Sequence, residues 1–200
     1  MDVHPVTLTG KFVRLEPLSL EHVPGLASIG LHESIWRYML YGSMSRQEDM
    51  QAWVQDMLQR QTTGADLPFA VFHLASGRTA GATRYLDIRR EHRALEIGGT
   101  WYGLDYQRTA VNSECKYLLL RHAFESLHAV RVQFNTDLRN IPSQKAIERL
   151  GAVKEGVLRK HMITPEGFQR DSVYYSIIYT EWPPIKSRLE EMLTRKPERL

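Results

Sequence analysis

Residues 94–136 constrain the fold more than any other part of the chain. They read as a strand, "ALEIGGTWY" (94–102), a polar loop, a buried helix, and a second strand, "AVRVQFNT" (129–136). The helix is expected over 111–127, because Val111, Cys115, Leu118, Leu119, Ala123 and Leu127 recur at helical spacing. A strand, a crossover helix and a returning strand pack onto one sheet only with the strands parallel and the connection right-handed. Gly98-Gly99 inside the first strand suggests a bulge or a close backbone approach. The loop Gln107-Arg108-Thr109-Ala110-Val111-Asn112 opens the helix, so free amides and the positive end of a helix dipole face outward. Arg108 adds a charge and Thr109 a hydroxyl, with Asn112 or Ser113 available to cap.

The flanking sequence supplies antiparallel neighbours. "FVRLEPLS" (12–19) is a predicted strand, 20–31 a weak helix, and "WRYMLYG" (36–42) an aromatic loop. Ser45-Arg46-Gln47-Glu48 has the form of a capping box, and Met50, Trp53, Val54, Met57 and Leu58 mark a helix over 46–61. Strands at 68–75 and 78–88 meet at Ser76-Gly77. After the central unit, Asn140-Ile141-Pro142 opens a short helix that Gly151 ends. "VKEGVLRKHM" and "QRDSVYYSIIY" flank the turn Thr164-Pro165-Glu166-Gly167, and 184–200 is an amphipathic helical tail. The expected order is β-α-α-β-β-β-α-β-α-β-β. It implies one α/β domain over 1–200: a mixed, mostly antiparallel sheet with a central parallel pair and helices on both faces.

Composition narrows the function classes. The chain has 42% hydrophobic and 24% charged residues in 200, enough for a packed core. Cys115 is the lone cysteine, which fits a reducing, cytoplasmic setting. No signal pattern opens the sequence and no apolar run is long enough for a membrane helix. A formal charge of +3 suits a small anionic ligand better than nucleic acid. The basic tail residues Lys186, Arg188, Arg195, Lys196 and Arg199 alternate with Glu190, Glu191 and Glu198, as on a solvated helix. Among the eight histidines none has a metal-ligand spacing, so no metal is expected.

"NIPSQKAIERLGAVKEG" places Asn140, Ser143, Ile147 and Gly151 at fixed intervals after "EIGGTWY" and "YQRTAVNSE". Together these segments resemble the GNAT superfamily of N-acetyltransferases, and more narrowly its ribosomal-protein N-terminal acetyltransferase branch. The resemblance covers residues 10–182. It implies acetyl-CoA as co-substrate, with the pyrophosphate on the amides of Gln107, Arg108, Thr109, Ala110, Val111 and Asn112. Two glycines of the family's loop are replaced, by Ala110 and Asn112. It further implies that Thr100, Trp101 and Tyr102 pair with the pantetheine arm through their backbone. Asn140 would hold the arm's other side, and Ser143 would protonate the departing thiolate. The family's alternative tyrosine is Ile147 here. Lys145 and Arg149 are candidates for the adenosine phosphates, with a solvated helix face as the alternative.

The implied reaction is direct attack of a primary amine, either a protein N-terminus or a small molecule. Glu96 is the candidate general base, or else a partner for Arg84 or Arg131. Keeping an α-amine of pKa ~7.9 neutral at pH 7 costs about 1 kcal/mol, against ~4.6 kcal/mol for a lysine. Trp36, Tyr38, Tyr41 and His161 are candidates for the acceptor pocket, the aromatics equally for core. Cys115, at helical spacing with Leu118 and Leu119, reads as core. A homodimer is expected. The competing reading is a CoA-binding sensor without turnover, which the missing loop glycines and Ile147 would favour.

Overall fold

A computed structural model describes residues 1–194. All eight strands join one sheet, in the order β1-β2-β3-β4-β5-β6-β8-β7. They are β1 (Leu8–Thr9), β2 (Val13–Pro17), β3 (Leu67–His73), β4 (Arg78–Arg89), β5 (Ala94–Tyr102), β6 (Arg131–Asp137), β7 (Val153–Ile163) and β8 (Gln169–Ile178). Only β5 and β6 run parallel, as the crossover requires. Helices α4 (Ala110–Arg121), α5 (Ile141–Leu150) and α6 (Trp182–Thr194) share one core with the sheet; α1 (Val23–Gly30), α2 (Glu33–Trp36) and α3 (Gln47–Thr62) share the other.

Several details depart from the expectation. Strand β1 is too short to show any periodicity. Helix α2 is an unexpected single turn that ends at Trp36, the first residue of the expected aromatic loop. Helix α3 starts one residue later than expected, and its box acceptor is Asp49, not Glu48: Asp49 Oδ2 accepts from the amides of Ser45 and Arg46, both at 3.0 Å. The helix expected over 111–127 is α-helical only to Arg121 and continues as a π-turn, His122–Ser126. Ala123 and Phe124 stay buried through that change, so the apolar spacing did not register it. Of the tail, α6 buries Ile185 and Leu189, with Met192 half-buried against the same core. Arg195, Lys196, Glu198 and Arg199 lie outside the described residues.

Strand β5 organises the site. Its pairing with β6 stops at Glu96 opposite Gln133, although β5 runs on to Tyr102 and β6 to Asp137. Beyond that point the β6-facing edge of β5 has no strand neighbour. Leu95 and Ile97 point into the α4–α6 core, which puts Glu96 on the α1–α3 face. A bulge at Gly98-Gly99 then reverses the alternation, so Trp101 enters the α1–α3 core and Tyr102 the α4–α6 core. Gly99 needs its freedom twice over. Its φ is +56°, and a Cβ there would lie 2.9 Å from Arg84 Nε.

Candidate active site

The loop after β5 forms a capped helix end. Thr109 is the N-cap: its hydroxyl donates to Tyr106 O at 2.7 Å and accepts from the Val111 amide at 3.3 Å. It takes the place expected for Asn112 or Ser113. Gln107 ties the loop back to the strand, Nε2 donating to Tyr102 O at 3.1 Å. Arg108 adopts the left-handed region, φ +60°, which is uncommon for a side chain of its size. Ala110 and Asn112 lie within the first turn of α4. The glycine replacements are therefore in right-handed helix, where no glycine is required. The opening amides of Thr109, Ala110 and Asn112 have no acceptor within the helix and face outward with the dipole.

The walls of the divergence come from β5, β6 and α5. Gly98, Gly99 and Thr100 are the half-buried part of an otherwise buried strand. Trp101 and Tyr102 are 3% and 7% exposed, so only their backbone is available to a ligand. On the far side, Asn140 caps α5 by accepting from the Ser143 amide at 3.2 Å. Its Nδ2 and the Ser143 hydroxyl make no hydrogen bond among the described residues. Lys145 and Arg149 are exposed, and Ile147 is buried where the alternative tyrosine would stand.

Glu96 is 4% exposed. Its Oε1 accepts from Asn135 Nδ2 at 2.6 Å and its Oε2 from Gln133 Nε2 at 3.0 Å. Burial raises its pKa, and these two hydrogen bonds oppose the rise. Neither arginine expected as an alternative partner reaches it. Arg84 pairs with Asp66 at 3.1 Å, and Arg131 donates to Glu155 at 2.6 Å. Asn135 links onward, its Oδ1 accepting from Arg170 Nη2 at 2.7 Å. Cys115 is fully buried, and desolvation pushes its thiol up to about 12, so it stays protonated in the core.

The acceptor candidates separate. Trp36 is 2% exposed, its indole donating to Gly30 O at 2.6 Å and its rings packed against Tyr41, Trp53 and Trp101. It is a core residue, and Tyr41 packs within the same cluster. Tyr38 instead lies under the Arg139 guanidinium, 5.8 Å away, and Arg139 also covers Phe168 at 3.6 Å. His161 Nδ1 lies 3.0 Å from Ser172 Oγ, with its ring edge-on to Tyr174. Ser172 and Tyr174 share the Glu96 face, because Val173 and Tyr175 point to the other core. The α2–α3 loop and the β7–β8 turn thus meet above that face, where Gly42 also opposes Pro165.

Four polar residues here were not singled out from sequence: Gln133, Asn135, Arg170 and Lys116. For Gln133 and Asn135 a signal existed. They are the polar alternates of a strand whose other alternates, Val132 and Phe134, are core. For Arg170 and Lys116 nothing in the sequence marks the burial that the structure shows. Among the described residues, no group of three His, Cys, Asp or Glu side chains is placed to hold a metal, and no helix is long and apolar enough to cross a membrane.

The sequence profile of the family described as "Acetyltransferase (GNAT) domain" matches residues 13–153. YdaF of Bacillus subtilis, which carries the provisional name of a ribosomal N-acetyltransferase, is 28% identical over 109 residues. That alignment covers 54% of this chain and 58% of YdaF, so the match spans little more than half of that relative. A crystal structure of a GCN5-related N-acetyltransferase from Brucella melitensis superposes with a TM-score of 0.90 at 26% identity, covering 96% of this chain and 87% of that one. Mycobacterium smegmatis RimJ, solved with CoA-disulfide, has a TM-score of 0.81 over 94% of this chain and 95% of its own; at 19% identity this is a likeness of fold.

Proposed function

We propose that this chain, which belongs to the GNAT acetyltransferase family, moves the acetyl group of acetyl-CoA directly to a primary amine. The observation that carries the reading is Glu96, a buried carboxylate with raised pKa, set where β5 and β6 part. The free β5 edge would pair with the pantetheine arm, and the amides opening α4, with Arg108, would hold the pyrophosphate. The CoA-disulfide named for RimJ supports CoA as the class of ligand. Asn140 Nδ2 would hold the arm from the α5 side.

The acceptor nitrogen attacks the thioester carbonyl, a C–N bond forms and the C–S bond breaks. Glu96 takes the proton from nitrogen, and the Ser143 hydroxyl supplies one to the thiolate. Burial that disfavours the carboxylate strengthens it as a base, while Gln133 and Asn135 fix both its oxygens. An α-amine or another weakly basic amine suits such a base better than lysine. The name of YdaF favours a protein N-terminus as one acceptor class, and a small amine is the other. The sensor reading loses one of its two supports, since Ala110 and Asn112 sit in ordinary helix, and keeps the other, Ile147 in place of the tyrosine. For the homodimer, support comes from edge strand β7, which exposes Val153, Val157, Leu158 and Ile163.

The test is thiol release from acetyl-CoA over an amine panel, followed by Glu96→Gln on the best acceptor. The variant's kcat/KM at pH 7 should fall by ~10² or more, as for a lost general base. The defect should shrink as pH approaches the amine's own pKa, because the amine then arrives neutral. Acetyl-CoA binding should persist. Full activity at pH 7 would remove Glu96 as the base.

A further inference from the structure

On the face that carries Glu96, one cation lacks the counterion its burial calls for. Arg170, on β8, is 5% exposed. A guanidinium has five N–H donors and is always charged. Arg170 makes one hydrogen bond, Nη2 to Asn135 Oδ1 at 2.7 Å, and its Nε is buried without a partner. Among the described residues no carboxylate comes within 4 Å of it. Asp137 on neighbouring β6 is taken by Arg139, which gives it Nε at 3.0 Å, Nη2 at 2.6 Å and its amide at 2.8 Å. A buried charge in this condition costs several kcal/mol. A planar, forked donor set is the form that recognises carboxylates.

We infer that Arg170 binds a carboxylate of the acceptor, and that the acceptor is an α-amino acid whose amine faces Glu96. The inference rests on the acetyl-transfer reading and narrows its substrate. Its length scale comes from Asn135. That one carboxamide joins Arg170 to Glu96 through hydrogen bonds of 2.7 and 2.6 Å. The oxygen and nitrogen of an amide are about 2.3 Å apart. In an α-amino acid the nitrogen and a carboxylate oxygen are about 3 Å apart. The same guanidinium and the same carboxylate can therefore hold the two ends of one amino acid set beside Asn135. Charge argues the same way. A lone ammonium would be repelled by Arg170, and a polypeptide N-terminus offers only a neutral carbonyl where the amino acid has its carboxylate. The α2–α3 loop and the β7–β8 turn, joined through Tyr38, Arg139 and Phe168, would cover a small acceptor and shield both charges from water.

The experiment compares each α-amino acid with its carboxamide and with a tripeptide beginning with the same residue. It uses the intact protein and acetyl-CoA, with thiol release and mass spectrometry as readouts. Calorimetric binding of the same compounds without acetyl-CoA runs in parallel. The free acid of at least one amino acid should exceed its amide in kcat/KM by roughly 100-fold, as for a site built around a charged contact. Arg170→Gln should bring acid and amide rates within about threefold, because the charge and the fork are both lost. Its acetyl-CoA affinity and melting temperature serve as fold controls. Equal use of acid, amide and tripeptide by the wild type would overturn the inference and leave acetyl transfer standing. So would an acid preference that survives in Arg170→Gln. Arg170-dependent binding of an amino acid that is never acetylated would keep the carboxylate site and refute the transfer reading. Absence of both binding and acetylation for every amino acid overturns the inference.

Discussion

Replacing Lys116 by methionine should stabilise the protein at neutral pH. Lys116 lies on α4, 6% exposed, between that helix and the sheet. Its Nζ donates to Thr100 Oγ1 at 2.6 Å, and Thr100 Oγ1 lies 2.8 Å from Thr83 Oγ1. Among the described residues no carboxylate lies within 4 Å of the ammonium. Burial lowers its pKa from 10.5 to about 8, against the weaker opposing influence of Glu96. A fall of that size corresponds to roughly 3 kcal/mol of preference for the unprotonated form on folding. The folded pKa lies below the unfolded one, so the unfolded chain holds the proton more tightly between pH 8 and 10.5. Below pH 8 both states are charged and the folded state bears the full penalty. From pH 8 to 10.5 the penalty is relieved, and this group's contribution to stability rises with pH.

Methionine removes the charge with nearly the same length of chain. It also removes the hydrogen bond to Thr100, worth about 1 kcal/mol, while Thr100 keeps Thr83. The net gain near pH 7 is about 2 kcal/mol, or roughly 4–8 °C in melting temperature for a chain of this size. The assay is thermal and urea unfolding of both proteins at each pH from 6 to 10.5. The gain should be flat up to pH 8, then shrink and reach zero or slightly below by pH 10.5. A variant less stable than wild type at pH 7, or a difference that does not change with pH, would show that Lys116 is not an uncompensated buried charge.

Two further outcomes follow from other contacts. Glu114, 4% exposed, accepts the amides of Lys11, Phe12 and Val13 at 2.8, 2.6 and 2.7 Å; Glu114→Gln must turn an NH₂ toward at least one donor and should cost about 2–3 kcal/mol, read as a lower urea midpoint with unchanged slope. Arg108→Glu should weaken acetyl-CoA at least tenfold while barely affecting acetyl-pantetheine, measured by calorimetry, because it sets a negative charge beside the phosphates; equal loss for both ligands would take the pyrophosphate off this loop.

The sheet was legible in the sequence because its strands are short apolar runs with clear punctuation. The parallel pair followed from chirality and connection length. The cap residues Asn140 and Gly151 were legible because each does a local job: Asn140 accepts the Ser143 amide, and Gly151 takes φ +99°. What escaped is non-local. Nothing near Arg170 in sequence shows that Asn135 would take one of its donors while Arg139 takes Asp137. Lys116 sits one residue after Cys115, on a turn of helix whose lysines usually reach water; here its ammonium turns inward to Thr100 Oγ1 on β5. Trp36 stood equally for acceptor pocket and core because an aromatic loop and an aromatic core look alike until the partners Trp53 and Trp101 are known.

Lys116 and Arg170 give the cleft a common logic. One lies on the α4 face of the sheet and the other on the face of Glu96, and both are buried cations with a single hydrogen bond. Core positions chosen for stability alone would carry apolar residues there, since burying an unpaired charge is among the costliest arrangements a fold can hold. Glu96, which precedes both in sequence, has the opposite character: each of its oxygens is held by an amide that is neutral and cannot satisfy its charge. Three ionisable groups around one strand divergence are thus hydrogen-bonded but, among the described residues, in direct contact with no opposite charge. A zwitterionic acceptor balances two of them at once, its amine against Glu96 and its carboxylate against Arg170. Lys116, with only neutral hydroxyls in reach, gains nothing from that acceptor, so its effect should appear in stability while that of Arg170 appears in the choice of substrate.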